Sequence, residues 1–186
     1  MPSDLRASIF VADYIAVDGA GKLTTVGLGW SFASIDPITL LTPPMHVGVL
    51  VDVPAARIGS DFTFLLDLRR ANGEVVHALG ATGQPEALRI QQLVTPERNA
   101  PAGAVTVPRD VPSRIQAVFG FPTGLPLATG ESYYWRLELD HKHLKGWEAH
   151  FHILAPPPTP VLGGPANPTD IPNVAGASTD EDDEES

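Results

Sequence analysis

The chain has 186 residues, 43% of them hydrophobic, with 17 glycines, 19 prolines and no cysteine. That length fits one domain with appendages; no run approaches the roughly 18 apolar residues of a membrane-spanning helix, and the lack of cysteine excludes disulfides, thiolate metal sites and cysteine nucleophiles. The 22 acids and 12 bases give a net charge of −10, but seven acids and no base fall in residues 155–186, leaving residues 1–154 at 15 acids and 12 bases, a net of −3. Neither part has the basic stripe that neutralising phosphates requires, which argues against direct nucleic-acid binding.

Helical periodicity is scarce, and short β-branched and aromatic runs separated by Gly, Pro, Asn and Asp recur instead. Arg6 to Val17 reads as the first strand, ending in the turn Asp18-Gly19-Ala20-Gly21. Asp13 interrupts its apolar run and no basic cluster precedes it, so it does not read as a secretory leader, and a cytoplasmic start is expected. Lys22 to Ile35 follows, with a bend expected at Gly27-Leu28-Gly29, because glycines inside a strand mark bulges or close backbone approaches. His46 to Val53 is a strand stopped by Pro54, and Asp61 to Arg70 alternates between an apolar and a mixed face. Asn72-Gly73 is a strong hairpin signal and predicts an antiparallel pair between Phe62–Arg70 and Val75–Leu79. Glu86 to Val94 and Ser113 to Phe121 are further strands, with a short one at Ala104–Val107 in the proline-rich loop between them.

The last unit is a hairpin, Glu131–Asp140 and Trp147–Leu154, joined by a loop around His143–Gly146. Tyr133, Trp135, Leu137 and Leu139 share one face of its first strand, and Phe151 and Ile153 the matching face of the second. Eight or so strands at near-regular spacing predict an all-β fold: an antiparallel β-sandwich over residues 1–154, immunoglobulin-like or jelly-roll-like. Residues 155–186, with four prolines around one threonine in Pro156-Pro157-Pro158-Thr159-Pro160, no aromatic and no basic residue, predict a disordered Pro-rich acidic tail.

Four of the six histidines, His141, His143, His150 and His152, fall in the final hairpin. His150 and His152 share a strand face, and Glu138 and Asp140 are expected across from them, a donor set that could take a divalent ion. The competing reading is ordinary cross-strand pairing on a solvated face, so no cofactor is assigned. No G-x-S-x-G elbow, dinucleotide fingerprint or Walker A sequence occurs. Of the aromatic residues that could line a carbohydrate platform, Trp30, Tyr133, Trp135 and Trp147, the second and third fall in the core register of their strand, while Trp147 sits beside a loop as a candidate contact residue. The tail acids Asp180, Glu181, Asp182, Asp183, Glu184 and Glu185 are candidate partner contacts as well as solubilising charge.

The segments Ala7-Ser8-Ile9-Phe10-Val11-Ala12-Asp13-Tyr14, Gly27-Leu28-Gly29-Trp30 and Gly130-Glu131-Ser132-Tyr133-Tyr134-Trp135-Arg136-Leu137-Glu138-Leu139-Asp140 together resemble a small uncharacterised all-β family of actinobacteria and their phages. That resemblance spans about residues 7–153 and carries no catalytic residues, and its phage association implies a virion accessory or a small host-directed protein as a setting. A non-enzymatic binding or structural module is predicted, with a phage virion accessory or assembly protein as one setting. Protein partners, and a homo-oligomer through strand edges, are the expected contacts. The alternatives are a metal- or carbohydrate-binding sandwich using the His-rich hairpin and a small inhibitor of a host protein acting through the acidic tail.

Overall fold

The computed structural model describes residues 5–19, 21–80, 82–98, 108 and 111–155, all within the first of the two units into which the chain divides, Met1–Pro156. The strand expected at 104–107 and the tail at 156–186, with its six candidate contact acids, lie outside the described residues. The fold is all-β with several sheets and no closed barrel. Its strands are β1 (Arg6–Ala12), β2 (Tyr14–Val17), β3 (Leu23–Val26), β4 (Phe32–Ala33), β5 (Met45–Val53), β6 (Phe62–Arg70), β7 (His77–Leu79), β8 (Pro85–Ala87), β9 (Arg89–Val94), β10 (Ser113–Phe121), β11 (Ser132–Leu139) and β12 (Glu148–Ile153). A 3-10 turn, Ala55–Arg57, follows Pro54, and no helix among the described residues is long and apolar enough to cross a membrane.

A three-stranded sheet has the order β1-β5-β10 and a five-stranded sheet the order β4-β12-β11-β6-β9; β2-β3 and β7-β8 form two ribbons. Among the described residues, pairing is antiparallel except at one place, where His152 and Ile153 of β12 run parallel to Phe32 and Ala33 of β4. The inward residues of both sheets form one apolar cluster: Val47, Val49 and Val51 from β5, Phe62, Phe64, Leu66 and Leu68 from β6, and Tyr133, Trp135, Leu137 and Leu139 from β11. Aromatic rings bridge the sheets, Phe64 to Phe119 at 5.8 Å and Phe121 stacked on Trp135 at 5.2 Å. Each such side chain contributes roughly 1.5–3 kcal/mol through burial, so this layer carries most of the stabilisation.

Glycine positions explain how the small pieces attach. A side chain at Gly48 would collide with the ring of Phe10 and the Ile15 methyl. The missing Cβ therefore lets Ile15 seat the β2–β3 ribbon on the outer face of β5. The expected bend at Gly27-Leu28-Gly29 is present: β3 stops at Val26, both glycines have positive φ (64° and 90°), and Gly29 N–H donates to Val11 O at 3.0 Å. Asp13 holds the bend from below by accepting the Trp30 indole N–H at 2.6 Å.

The turn at Asn72-Gly73 forms, with Gly73 at φ 89° and Asn72 Oδ1 accepting the Glu74 N–H at 3.0 Å. The pair it was expected to start does not continue. Only the bridge Arg69↔Val75 follows, after which the chain leaves as β7 to pair with β8, and β9 takes the place beside β6. The expected strand Glu86–Val94 is correspondingly split into β8 and β9. β9 wins this position because it brings Ile90 and Val94 to the core and Arg89 to Asp67, whereas Leu79 at the end of β7 stays exposed.

Between β10 and β11 the chain is locked at one corner. Tyr133 Oη accepts the Ala128 N–H at 2.9 Å and donates to Glu131 Oε2 at 3.0 Å. Glu131 in turn receives Arg70 Nη1 at 2.8 Å. Burial leads the causes that push the Tyr133 hydroxyl above its ordinary value.

Candidate functional site

The outer face of the five-stranded sheet carries most of the candidate residues, because β6, β11 and β12 alternate strictly there. Asp67 points outward yet is fully buried, at 0% exposure, with the guanidinium groups of Arg69 and Arg89 engaging its carboxylate. Arg69 grips it with Nε at 2.9 Å and Nη2 at 2.8 Å, and Arg89 Nη2 reaches it at 3.2 Å. Across the sheet, Arg136 stands opposite Asp67 on one side and Glu148 on the other.

Register decides which histidine meets which carboxylate. Tyr134 faces His150, and Ser132 faces His152, so Glu138 and Asp140 are not across from the two histidines as expected. The reason is the connection: β11 ends in a tight turn at Asp140-His141, both with positive φ (49° and 60°), and six further residues, 142 to 147, follow before β12 opens opposite Arg136. The four candidate ligands therefore go separate ways. His150 Nε2 pairs with Glu148 at 2.9 Å and stacks on Tyr134, and His152 Nδ1 pairs with Ser132 Oγ at 2.9 Å. Glu138 accepts from Arg136 at 3.4 Å, and Asp140 binds Arg57 Nη2 at 2.5 Å and the Thr63 N–H at 3.2 Å. Among the described residues no group of three or more His, Asp or Glu side chains has a geometry that could hold a metal.

Glu148 is the hub that sequence reasoning passed over. It shares the strand face of His150 and His152, the signal by which it could have been chosen, and its two oxygens take His150 at 2.9 Å and His143 Nε2 at 2.8 Å. Burial alone would raise its carboxyl; the hydrogen bonds from His150 and His143 outweigh that and hold it below the usual range. His143 Nδ1 meets Leu137 O at 2.9 Å, so both its ring nitrogens face acceptor oxygens. Arg57 had no sequence signal, being 83 residues from Asp140.

Trp147, expected as a contact residue, is 6% exposed, and its backbone N–H donates to Leu144 O in the turn that leads into β12. It lines a cavity of about 130 Å³ with Leu5, Leu139 and Leu144, at whose rim the Arg57–Asp140 pair lies. That volume is below the roughly 300 Å³ at which ligand clefts begin. Tyr133 and Trp135 are core residues, so of the candidate carbohydrate platform only Trp30 keeps partial exposure. The apolar surface lies elsewhere. Tyr14 and Val26 face each other across the β2–β3 ribbon and are 53% and 58% exposed, and Leu28 follows at 60%. No family model and no curated protein matches the chain.

Proposed function

We propose that this chain is an immunoglobulin-like β-sandwich acting as a non-enzymatic binding or structural module through protein–protein contacts. Strand order supports the sandwich type. A three-stranded sheet β1-β5-β10 shares its core with a sheet whose middle is β12-β11-β6, the arrangement of the last, penultimate and third strands in that fold. The Tyr133 hydroxyl bonded back to Ala128 at the entrance of the penultimate strand is the tyrosine corner of the same architecture.

The functional part rests on one observation, the solvent-facing Tyr14 and Val26 on a ribbon that Ile15 anchors to the sheet, with exposed Leu28 in the bend that follows. Exposed aromatic and aliphatic side chains on a fixed element are what a partner's apolar anchor requires. Asp67, Glu131, Asp140 and Glu148 are each engaged by arginine or histidine, which favours a structural role for them over acid–base work. A phage or bacterial assembly is the setting implied by the resemblance.

Capture from lysate of the producing cell tests this with three baits: the full chain, the chain lacking residues 155–186, and Tyr14→Ser with Val26→Ser. The expected result is a partner retained by the first two and lost by the third, whose circular dichroism is unchanged. Capture that depends on residues 155–186 and ignores the ribbon overturns the reading in favour of the acidic tail.

A further inference from the structure

Every open sheet has edges, and an edge strand exposes backbone donors and acceptors to any strand that can reach them. The edges here differ. β4 is two residues long, β1 has Gly29 N–H bonded to Val11 O, and on β10 the Gln116 side chain reaches across to Gly21 O at 2.6 Å. β9 has none of these covers among the described residues. Its six residues, Arg-Ile-Gln-Gln-Leu-Val, contain no proline, glycine or lysine to deter pairing.

Alternation identifies the free groups. Leu68 N–H donates to Leu88 O at 3.0 Å, and Asp140 N–H donates to Thr63 O, so the even residues of β6 bond toward β9 and the odd ones toward β11. With the register Leu66↔Ile90, Phe64↔Gln92 and Phe62↔Val94, the even residues of β9 are therefore the ones bonded to β6. The N–H and C=O of Arg89, Gln91 and Leu93 point away from the sheet.

We infer that a second copy of this chain covers this edge, β9 pairing antiparallel with β9 of its twin about a two-fold axis through Gln91. A two-fold contact must be self-complementary. In this register Gln91 meets Gln91 of the twin, and Arg89 meets Leu93, so no charge opposes its like. Leu93, 66% exposed in the single chain, gains the aliphatic stem of Arg89 over it. On the other face Leu88 meets Val94 at both ends, joining two residues already packed against the core. The register displaced to place Arg89 against Arg89 fails by like-charge repulsion. About six backbone hydrogen bonds form, and the two five-stranded sheets become one continuous sheet. This contact lies on a different surface from the β2–β3 ribbon and stands or falls independently of it.

Because the chain has no cysteine, a single introduced thiol reports the register. Cα atoms of a hydrogen-bonded antiparallel pair lie about 5.5 Å apart, within disulfide reach. Mild oxidation of the full-length Gln91→Cys chain is expected to give a covalent dimer, while Leu93→Cys, on the same edge but away from the axis, stays monomeric. In sedimentation the unmodified chain associates by about 100 μM, and Gln91→Lys, which sets two ammonium groups together on the axis, weakens association about tenfold. Gln91→Pro, which removes only an outward N–H, abolishes it while circular dichroism remains that of the parent. A chain that stays monomeric at that concentration overturns the inference, as does Leu93→Cys cross-linking as fast as Gln91→Cys.

Discussion

The two faces of the five-stranded sheet come from the same strands and even from adjacent residues, yet they are held in different ways. Leu66, Leu68, Leu137 and Phe151 on the inner face meet the other sheet and are excluded from water by apolar packing. Asp67, Arg69, Arg136, Glu138, Glu148 and His150 on the outer face are held by charge-assisted hydrogen bonds. The difference shows that an outward side chain need not be a solvated one. Asp67, one residue from Leu66, is buried as completely as Leu66, its carboxylate held by the guanidinium groups of two arginines. A polar group in that position must keep its partners, since losing them leaves it desolvated without compensation.

The comparison is broken or sharpened by substitutions on the two faces. Leu66→Ala should cost about 3–4 kcal/mol in chemical denaturation, through lost transfer energy and the cavity left behind. Asp67→Ala should cost about 2–3 kcal/mol, below the range for a wholly buried pair because Arg69 and Arg89 keep some access to water. If Asp67→Ala moved stability by only a few tenths, the outer face would be an ordinary solvated surface after all. Tyr133→Phe, which leaves the ring in place and removes the hydroxyl bonded to Ala128 and Glu131, should cost about 1 kcal/mol.

The smallest effect concerns Glu148. Its carboxyl lies below its ordinary value of 4.5 when folded, so the group binds fewer protons in the native state than in the unfolded chain. Its contribution is therefore full above that value and is lost as pH falls through the lower folded one. Glu148→Gln should destabilise by less than about 1 kcal/mol at pH 6, given its partial exposure, and the gap to the parent should close on acidification below about pH 4.5. A gap that widens in acid would mean that His143 and His150 do not hold the carboxylate.

How much of this was legible varies by residue. The period-2 pattern of Tyr133, Trp135, Leu137 and Leu139 identified the buried face of β11, and the bounds of β10 were readable from Ser113 to Phe121. The turn at Asn72-Gly73 and the bend at Gly27 and Gly29 were readable because positive φ selects glycine. The site was legible only in part. His150 and His152 were placed on the outer face, but their partners were misassigned, and Asp67 gave no sign of being a buried charge. Alternation specifies a face; it does not specify a neighbour or a register.

Composition, alternation and turn residues determined by themselves that this is an all-β fold with a nearly neutral body and acidic 155–186, and which way most side chains point. Those properties are local, being set by φ, ψ preferences and by the affinity of each side chain for water. Tertiary structure alone decided that β9 replaces β7 beside β6, that β4 runs parallel to β12, that Glu148 gathers the histidines, and that Trp147 is buried. These are choices among strands of similar pattern. They are settled by which combination packs the core and satisfies the most buried polar groups at once, a sum over residues as distant in sequence as Arg57 and Asp140.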